Sequence, residues 1–288
     1  MERTDKNIVK KAIAPRPDDA HKGTMGTLLS ICGSYGMAGA GILSGTAALR
    51  SGLGLLKCAL PKSIYPIIAA RLPESVYLPL EENADGKISA LNLPYLLSQK
   101  SDAVLLGCGL GVCDDTKAIV EGFIRSCKKP MVLDADALNC IADDPEALKN
   151  SKAPVVITPH PMEMARLCGI TAAEVNDNRE MTARTFAARY GVITVLKGAG
   201  TVIASPDGKT RINMTGNSGM ATGGSGDVLA GICASLLAQG KAPFDCACAA
   251  VYLHGLAGDF AAKRLGKISM LPGDIIDELP NAFAACGV

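Results

Sequence analysis

The sequence contains no tryptophan, and aromatic residues make up only 4% of its 288 residues. Few aromatic platforms are therefore available for stacking nucleic-acid bases. The net charge is +1 without a run of basic residues, so neither nucleic acid nor an anionic membrane is indicated as a partner. No apolar segment reaches the roughly 20 residues needed to span a bilayer, and residues Met1–Lys6 lack the apolar core of a secretion signal. These absences predict a cytoplasmic protein whose partners are small molecules.

Cysteine is abundant, with 11 residues, but no two cysteines form a C-x-x-C pair. Neither a disulfide framework nor a zinc site is therefore indicated, and we expect mostly buried, reduced thiols. Cys246 and Cys248 lie in an alanine-rich helical stretch, which favours close packing over metal binding. Familiar catalytic and phosphate motifs are also missing. The loop Gly33–Gly36 is neither G-x-S-x-G nor G-x-G-x-x-G, and the chain has no Walker A motif.

Short apolar runs alternate with helical patterns along the chain. The runs lack polar alternation, which is typical of strands covered on both faces and so of a mostly parallel sheet between helix layers. No repeat, low-complexity tract or polar linker marks a boundary, so we expect one domain over residues 1–288. The predicted strands are Thr27–Cys32, Leu55–Leu60, Ala103–Leu106, Met131–Leu133, Val155–Thr158 and Val192–Leu196, with a hairpin of Thr201–Ala204 and Thr210–Asn213. The predicted helices are Ala38–Ser51, Thr116–Ser126, Thr171–Tyr190 and Asp227–Gln239.

Polar or glycine-rich loops follow five of the predicted strands. In open parallel sheets, ligands bind beyond the carboxyl ends of the strands. Five such loops on one edge predict a shared cleft. The loops begin at Gly33, Gly107, Asp134, Pro159 and Lys197.

A further glycine-rich sequence runs from Asn213 into the predicted helix at Asp227. Amide groups at a helix start have no intrahelical partner, and the helix dipole adds roughly half a positive charge there, so the place suits a phosphate. Gly223, Gly224 and Gly226 allow the backbone to approach such a group closely. Because an aspartate aimed at the phosphate would repel it, we interpret Asp227 as a base for a neighbouring reacting group. The alternative is that Asp227 only caps the helix.

Four other loop residues each have two interpretations. His160 lies between two prolines and either donates a directed hydrogen bond to a ligand or only orders the next helix. The ammonium of Lys197 is either a point charge for a polyphosphate or a solvated strand-end cation. Asp134 and Asp136 form a carboxylate pair only if the strand continues through them, and Asp134 is equally a candidate for a buried hydrogen-bond acceptor.

Eight short motifs lie in order along the chain: His21-Lys22-Gly23-Thr24-Met25-Gly26, Gly33-Ser34, Gly107-x-Gly109-Leu110-Gly111, Leu133-Asp134-Ala135-Asp136-Ala137-Leu138-Asn139, Thr158-Pro159-His160-Pro161-x-Glu163, Leu196-Lys197-Gly198, Thr215-Gly216-Asn217 and Gly223-Gly224-Ser225-Gly226-Asp227. This ordered set resembles the ADP-dependent NAD(P)H-hydrate dehydratase family of the ribokinase-like superfamily. The resemblance covers nearly the whole chain. It implies a ribokinase-like three-layer α/β sandwich, with helices on both faces of a mostly parallel sheet.

The resemblance also implies a carbon–oxygen lyase of metabolite repair, which restores NADH or NADPH from its hydrate with ADP or ATP as phosphoryl donor. The hydrate site would then contain Ala40, Gly109, His160 and Asp227. The adenine-nucleotide site would contain Lys197, Gly198, Ala199, Gly200, Thr201 and Gly226. Asp227 would be the catalytic base, and the amides of Gly224, Ser225 and Gly226 would hold the charge on the moving phosphoryl group. Mg²⁺ is expected from phosphoryl transfer generally, although no acidic ligand set is recognisable.

The chain departs from many relatives at three positions, with Cys108 and Ala38 in place of proline and Met162 in place of glycine. We expect these changes to tune the pocket and to preserve function. Many members carry a preceding epimerase domain, whereas His21-Lys22-Gly23 begins early here, so we expect that activity on a separate chain. Tetramers are frequent among relatives, which favours a homo-oligomer. A small-molecule kinase of the same superfamily and a non-catalytic nucleotide sensor are the alternative functions.

Overall fold

The computed structural model describes residues 1–13 and 15–288. Its strands are β1 Glu2–Arg3, β2 Thr27–Ile31, β3 Leu55–Pro61, β4 Val76–Leu80, β5 Ala103–Leu106, β6 Met131–Leu133, β7 Val155–Ile157, β8 Ile193–Leu196, β9 Thr201–Ala204 and β10 Thr210–Asn213. They form one sheet in the order β1-β10-β9-β8-β7-β6-β5-β2-β3-β4. Strand β9 runs antiparallel to both neighbours, and every other neighbouring pair is parallel. The mostly parallel sheet predicted from the apolar runs is confirmed.

All six strands predicted from apolar runs are present, with ends that differ by at most one residue, and the hairpin β9–β10 is as predicted. The sequence pattern missed β1 and β4, which are the two outer strands of the sheet. Strand β4 has the apolar sequence Val-Tyr-Leu-Pro-Leu, but it is only half buried and carries Pro79, which argues against an inner strand. Proline is tolerated in an edge strand because no neighbour needs its missing N–H.

The helices are α1 Lys6–Ala12, α2 Ala38–Arg50, α3 Tyr65–Ala69, α4 Leu93–Ser98, α5 Asp114–Ser126, α6 Asp136–Cys140, α7 Pro161–Cys168, α8 Ala172–Asp177, α9 Arg179–Tyr190, α10 Ser225–Ala238, α11 Pro243–Leu265, α12 Pro272–Asp277 and α13 Leu279–Cys286. Helix α2 begins where predicted. Helices α5 and α10 each begin two residues earlier than predicted, because Cys113 and Gly224 occupy the N-cap positions.

The single helix predicted over Thr171–Tyr190 is wrong. Thr171 and Glu174 do form the expected capping box at the start of α8, but the helix ends at Asp177. Asn178 then leaves helical geometry, with φ −131° and ψ 42°, and α9 starts at Arg179. Asparagine and aspartate compete with helical hydrogen bonding, which makes this a weak point in a helix. The break makes Arg179 the first residue of α9.

Two apolar cores lie on opposite faces of the sheet. In β2, Leu28 faces the core formed with α1, α2 and α10 to α13, whereas Leu29 faces the core formed with α4 to α9. Successive side chains of a strand point to opposite faces, so an inner strand that is apolar throughout supplies both cores. The predicted three layers of helix, sheet and helix are therefore confirmed.

All 11 cysteines are free thiols, and all but Cys113 and Cys168 are buried. Cys246 and Cys248 lie on α11 among buried alanines, so their predicted packing role is confirmed. Within the described part of the chain, no helix combines the length and apolarity needed to cross a bilayer.

Candidate active site

The five predicted cleft loops follow β2, β5, β6, β7 and β8, which are consecutive neighbours in the parallel part of the sheet. Parallel neighbours end at the same edge, so the loops lie side by side as the sequence predicted. The first helical turn of α10 reaches this edge, and three polar groups from different elements meet there. Cys108 Sγ, an Asp134 carboxylate oxygen and an Asp227 carboxylate oxygen all lie within 4.8 Å of one another.

The N-terminus of α10 is open. Gly224 is the N-cap residue and has φ +97°, and no side chain caps the helix. Any side chain at Gly224 would meet Leu43 Cδ1 at 2.5 Å, so the turn requires glycine for both conformation and space. Within residues 1–13 and 15–288 the amides of Gly226 and Asp227 have no protein acceptor. Free amides at the positive end of a helix form an anion site.

Asp227 is the third residue of α10 and does not cap it, so the capping interpretation is not supported. Burial and, to a lesser extent, the nearby carboxylate of Asp134 raise the pKa of Asp227 to about 7. The Cys108 thiol and the Lys197 ammonium oppose this shift. A carboxyl group that titrates near neutrality holds its proton loosely enough to exchange it with a ligand, which is the property required of a general base.

Asp134 and Lys197 form an ion pair beside Asp227. Lys197 Nζ lies 2.7 Å from Asp134 Oδ1, which also accepts a hydrogen bond from Thr158 Oγ1 at 2.6 Å. The Asp134 side chain is 1% exposed and the Lys197 side chain 18%. Burial alone would lower the pKa of Lys197, but attraction to Asp134 and Glu163 outweighs it and raises the pKa. Lys197 is therefore a paired, charged residue and not a solvated strand-end cation.

The ammonium of Lys197 also faces the start of α10. A side chain added at Gly226 would lie 3.2 Å from Lys197 Nζ. Glycine at 226 thus lets a positive charge approach the open amides directly. Helix dipole, free amides and ammonium together make this corner of the edge electropositive.

Asp134 and Asp136 do not act as a carboxylate pair. Strand β6 ends at Leu133, and Ala135 adopts φ 50° and ψ −113°, a strained conformation for a residue with a side chain. Because of this turn, the Asp136 carboxylate lies beside Gly111 and accepts a hydrogen bond from its amide N–H at 2.8 Å. Of the two interpretations of Asp134, the structure supports the buried hydrogen-bond acceptor.

His160 is the N-cap of α7. Its Nδ1 accepts hydrogen bonds from the amides of Met162 and Glu163 at 3.1 and 3.2 Å, so it does order the start of the next helix. The Glu163 carboxylate accepts the His160 amide N–H in return, which completes a capping box. Burial and the charge of Lys197 lower the pKa of His160, so the ring is neutral at pH 7. Half of the side chain remains exposed, and its ligand role remains a prediction.

Ala40 and Gly109 touch each other across the edge. A side chain at Gly109 would lie 2.8 Å from Ala40 Cβ, and Gly109 has φ +62°. Ser34 Oγ donates to the Gly109 carbonyl at 2.9 Å and ties the first and second loops together. The two loops therefore form one wall of the cleft. Gly109 in this wall directly follows Cys108, which contacts Asp134.

The loop Lys197–Thr201 connects β8 to β9 at the same edge, and we name it the nucleotide loop after the ligand that the sequence resemblance implies for it. Thr201 Oγ1 donates to the Gly198 carbonyl at 2.9 Å and closes the loop. The sequence did not reveal two residues that shape the neighbourhood. Arg179 donates to the carbonyls of Leu196 and Lys197, and Nε2 of the half-buried His254 lies 3.2 Å from Ser225 Oγ. Neither residue follows a strand, which was the signal used to find the other site residues.

Comparison with known proteins agrees with this geometry. A family model described as NAD(P)H-hydrate dehydratase matches residues 28–281. An ADP-dependent (S)-NAD(P)H-hydrate dehydratase from Neisseria meningitidis is 40% identical over 267 residues, which cover 90% of this chain and 86% of that protein. A bifunctional NAD(P)H-hydrate repair enzyme Nnr from Moorella thermoacetica is 43% identical over 92% of this chain. The chain spans about half the length of such bifunctional relatives, 50% in that case.

The fold is similar to a solved structure over almost the full length. An ADP/ATP-dependent NAD(P)H-hydrate dehydratase from Bacillus subtilis, co-crystallised with ATP and Mg²⁺, superposes with a TM-score of 0.86 at 31% identity, covering 99% of this chain and 98% of that one. The ribokinase-like fold implied by the sequence motifs is thereby confirmed. The chain belongs to the NAD(P)H-hydrate dehydratase family.

Proposed function

We propose that the chain catalyses the ADP-dependent dehydration of the (S)-hydrate of NADH or NADPH, releasing NAD(P)H, AMP and phosphate. The observation that carries the proposal is the position of Asp227, a carboxyl group titrating at about 7, beside the uncapped start of α10. A proton acceptor next to an anion site is the minimal arrangement for transferring a phosphoryl group to a hydroxyl. The activity of the Neisseria meningitidis relative supports the same reaction.

The chemistry requires activation of a poor leaving group. The hydrated nicotinamide ring carries a hydroxyl on the carbon next to nitrogen, and hydroxide does not leave readily. Asp227 removes the hydroxyl proton as the oxygen attacks the terminal phosphorus of ADP, and AMP leaves. The ring nitrogen lone pair then expels phosphate, and loss of a proton from the neighbouring ring carbon restores the dihydronicotinamide.

The start of α10 stabilises the transferred group in this proposal. The amides of Gly224, Ser225 and Gly226 surround the phosphoryl oxygens, although Ser225 N–H also has a long 3.4 Å contact with the Thr222 carbonyl, and Lys197 adds a full positive charge from the side of Gly226. The side chain of Asp134 holds Lys197 in that position through the 2.7 Å ion pair. Preorganised donors of this kind need no rearrangement when charge builds up on the phosphoryl group.

The remaining predicted residues divide between two ligands. The nucleotide loop, with Lys197, Gly198, Ala199, Gly200 and Thr201, binds the adenine nucleotide. The hydrate lies against Ala40 and Gly109, with His160 donating from its Nε2, which also lies 3.3 Å from Glu163 Oε1. The neutral state of His160 and the exposure of half its side chain support this role.

The residues of the site do not fit a dedicated protein-held Mg²⁺. Mg²⁺ prefers oxygen ligands, but the buried Asp134 is already bonded to Lys197 and Thr158. The pKa of the Cys108 thiol is raised well above its usual value by its hydrogen bond with Cys32 and by burial, so it is a neutral sulfur. We propose that Mg²⁺ enters with the nucleotide phosphates, as the Bacillus subtilis co-crystals with ATP and Mg²⁺ suggest. No step above depends on a metal held by the protein.

A direct assay tests the proposal. The purified chain is incubated with NADH hydrate and ADP, and recovery of the near-ultraviolet absorbance of NADH is measured together with AMP and phosphate. We expect stoichiometric formation of all three products. Phosphorylation of a small alcohol without recovery of NADH would instead identify a kinase of the same superfamily. Hydrate binding without any phosphate release would identify a sensor.

Three broader expectations are part of the same proposal. The chain forms a single domain over residues 1–288, supported by one sheet built from strands between Glu2 and Asn213 and by the packing of α1 against α11 and α13. It functions as a homo-oligomer in the cytoplasm. Light scattering of the purified chain checks the oligomeric state.

A further inference from the structure

Arg179 occupies an unusual position at the start of α9. The break at Asn178 makes it the first residue of that helix, and its side chain extends towards the end of β8. The sequence pattern predicted one continuous helix from Thr171. In such a helix the Arg179 side chain would lie along the helix surface and would not extend to β8. The helix is therefore interrupted immediately before Arg179, whose side chain contacts the nucleotide loop.

The guanidinium of Arg179 holds two successive backbone carbonyls. Its Nη2 donates to the carbonyl oxygen of Leu196 at 2.9 Å and to that of Lys197 at 3.0 Å. These are the last residue of β8 and the first residue of the nucleotide loop. The contacts fix the direction in which the chain leaves the strand.

The same guanidinium lies directly against Gly198. A side chain at Gly198 would lie 3.0 Å from both Nη1 and Nη2, and Gly198 has φ +142°, which disfavours any other residue. On the other side of the loop, Thr201 donates to the Gly198 carbonyl. The loop is thus held between Arg179 and its own last residue.

The charge of Arg179 is not balanced by the protein. In the described residues no carboxylate lies within 4.0 Å of its guanidinium, and Nη1 has only a long 3.4 Å contact with Asn176. Its Nε is buried without a partner, and burial lowers its pKa. A cation at the first residue of a helix also opposes the helix dipole. A residue kept only for stability would not be expected to combine these costs.

We propose that Arg179 is a positioning residue for adenine-nucleotide binding: by holding the carbonyls of Leu196 and Lys197 and packing on Gly198, it sets the nucleotide loop in its binding conformation. The proposal rests on the proposed function, in which this loop binds ADP. The polyphosphate of the nucleotide supplies the negative charge that the surroundings of Arg179 lack.

Replacement of Arg179 tests the proposal. In Arg179→Met we expect the KM and Kd for ADP to rise about 10- to 100-fold, because hydrogen bonds from a charged group are lost, while kcat at saturating ADP stays within about threefold of wild type. Arg179→Lys should restore less than half of the lost affinity on a logarithmic scale, since one ammonium cannot hold both carbonyls and pack flat on Gly198. The matched control is Arg184→Met, on an exposed position of the same helix, where the side chain's one hydrogen bond to any described residue is from Nη2 to Met181 Sδ at 3.7 Å. It should leave KM and kcat unchanged.

The outcomes separate this inference from the proposed function. An unchanged KM in Arg179→Met, or full recovery in Arg179→Lys, overturns the positioning role. A wild-type protein that neither binds ADP nor restores NADH overturns the proposed function and the inference together. Equal losses in kcat and in affinity also overturn the positioning role. If Arg179→Met does not fold by circular dichroism, Arg179→Gln gives the second test, because its shorter, neutral side chain cannot hold both carbonyls and should raise the KM for ADP similarly.

Discussion

Helices α7 and α10 both begin at the same edge of the sheet, but their N-termini differ. At α7, His160 accepts two amide N–H groups and Glu163 completes a capping box, so the donors are satisfied within the protein. At α10, the N-cap is Gly224 and no side chain caps the turn. An anion site requires donors without a protein acceptor. The comparison shows that the glycine-rich start of α10 leaves backbone donors available to a ligand, whereas the polar cap of α7 satisfies them within the protein.

Asp227 should show the largest effect at the open terminus. In Asp227→Asn the amide cannot accept the hydroxyl proton, so we expect kcat to fall at least about a thousandfold. The affinity for ADP should stay within about twofold, because the anion site is built from backbone amides and Lys197. Single-turnover kinetics and calorimetric ADP titration measure the two quantities. A variant that retains more than a tenth of wild-type kcat would contradict the base assignment.

Lys197→Met should have the next largest effect. Loss of the ammonium beside Gly226 should reduce kcat/KM about a hundredfold, in the range found when one preorganised donor is removed. The change also leaves Asp134 as an unpaired buried carboxylate, so the thermal midpoint should fall. Lys197→Met combined with Asp134→Asn should recover the thermal midpoint without recovering kcat/KM. Recovery of activity in the double variant would mean that Lys197 acts only through stability.

The pH dependence of the open terminus should report the same group. Since the folded pKa of Asp227 is about 7, kcat/KM should rise through pH 7 and fall about tenfold per unit below it. Stability should move in the opposite direction. The folded pKa lies above the usual value of 3.8, so the free energy of unfolding should fall as pH rises from about 4 to about 7, relative to Asp227→Asn. Parallel pH profiles of rate and of denaturant unfolding check both trends.

Much of this edge was predictable from sequence because it depends on local patterns. Apolar runs identified the inner strands, and parallel neighbours bring the residues after them together whatever the strand order. The ion pair of Asp134 and Lys197 was not predictable, because the residues are 63 positions apart and each had a plausible alternative. Its geometry depends on the order of β6, β7 and β8, which only the tertiary structure supplies.

The missed features share a physical cause. Strand β4 is an edge strand with half-exposed side chains, and Pro79 interrupts its otherwise apolar sequence. The helix break at Asn178 did not disturb the helical spacing of apolar residues, and its support comes from Arg179 contacting β8. His254 lies in the middle of α11, 29 residues from its partner Ser225. Each depends on contacts between elements, which sequence periodicity does not encode.

His160 sharpens the comparison, because it is a structural cap with a predicted ligand role. His160→Asn should keep the cap, since asparagine is a favoured N-cap residue, and so preserve the thermal midpoint. Loss of the Nε2 donor should still lower kcat/KM for the hydrate about five- to tenfold, which corresponds to one hydrogen bond of about 1 kcal/mol. His160→Ala should lose both properties. Wild-type kinetics in His160→Asn would restrict the residue to its capping role.

The smallest effect is expected at Thr171, which caps α8 away from the proposed ligands. Its hydroxyl accepts the Glu174 amide N–H at 3.2 Å, and the Glu174 carboxylate accepts the Thr171 amide N–H at 2.8 Å. Thr171→Ala should therefore cost about 1 kcal/mol in the free energy of unfolding and leave kcat and KM for ADP unchanged. Denaturant titration and steady-state kinetics provide the measurements. A change in the KM for ADP would show that the position of α8 affects Arg179 across the break at Asn178. The distinction between capped helix starts that only stabilise the fold and open ones that bind ligands would then fail.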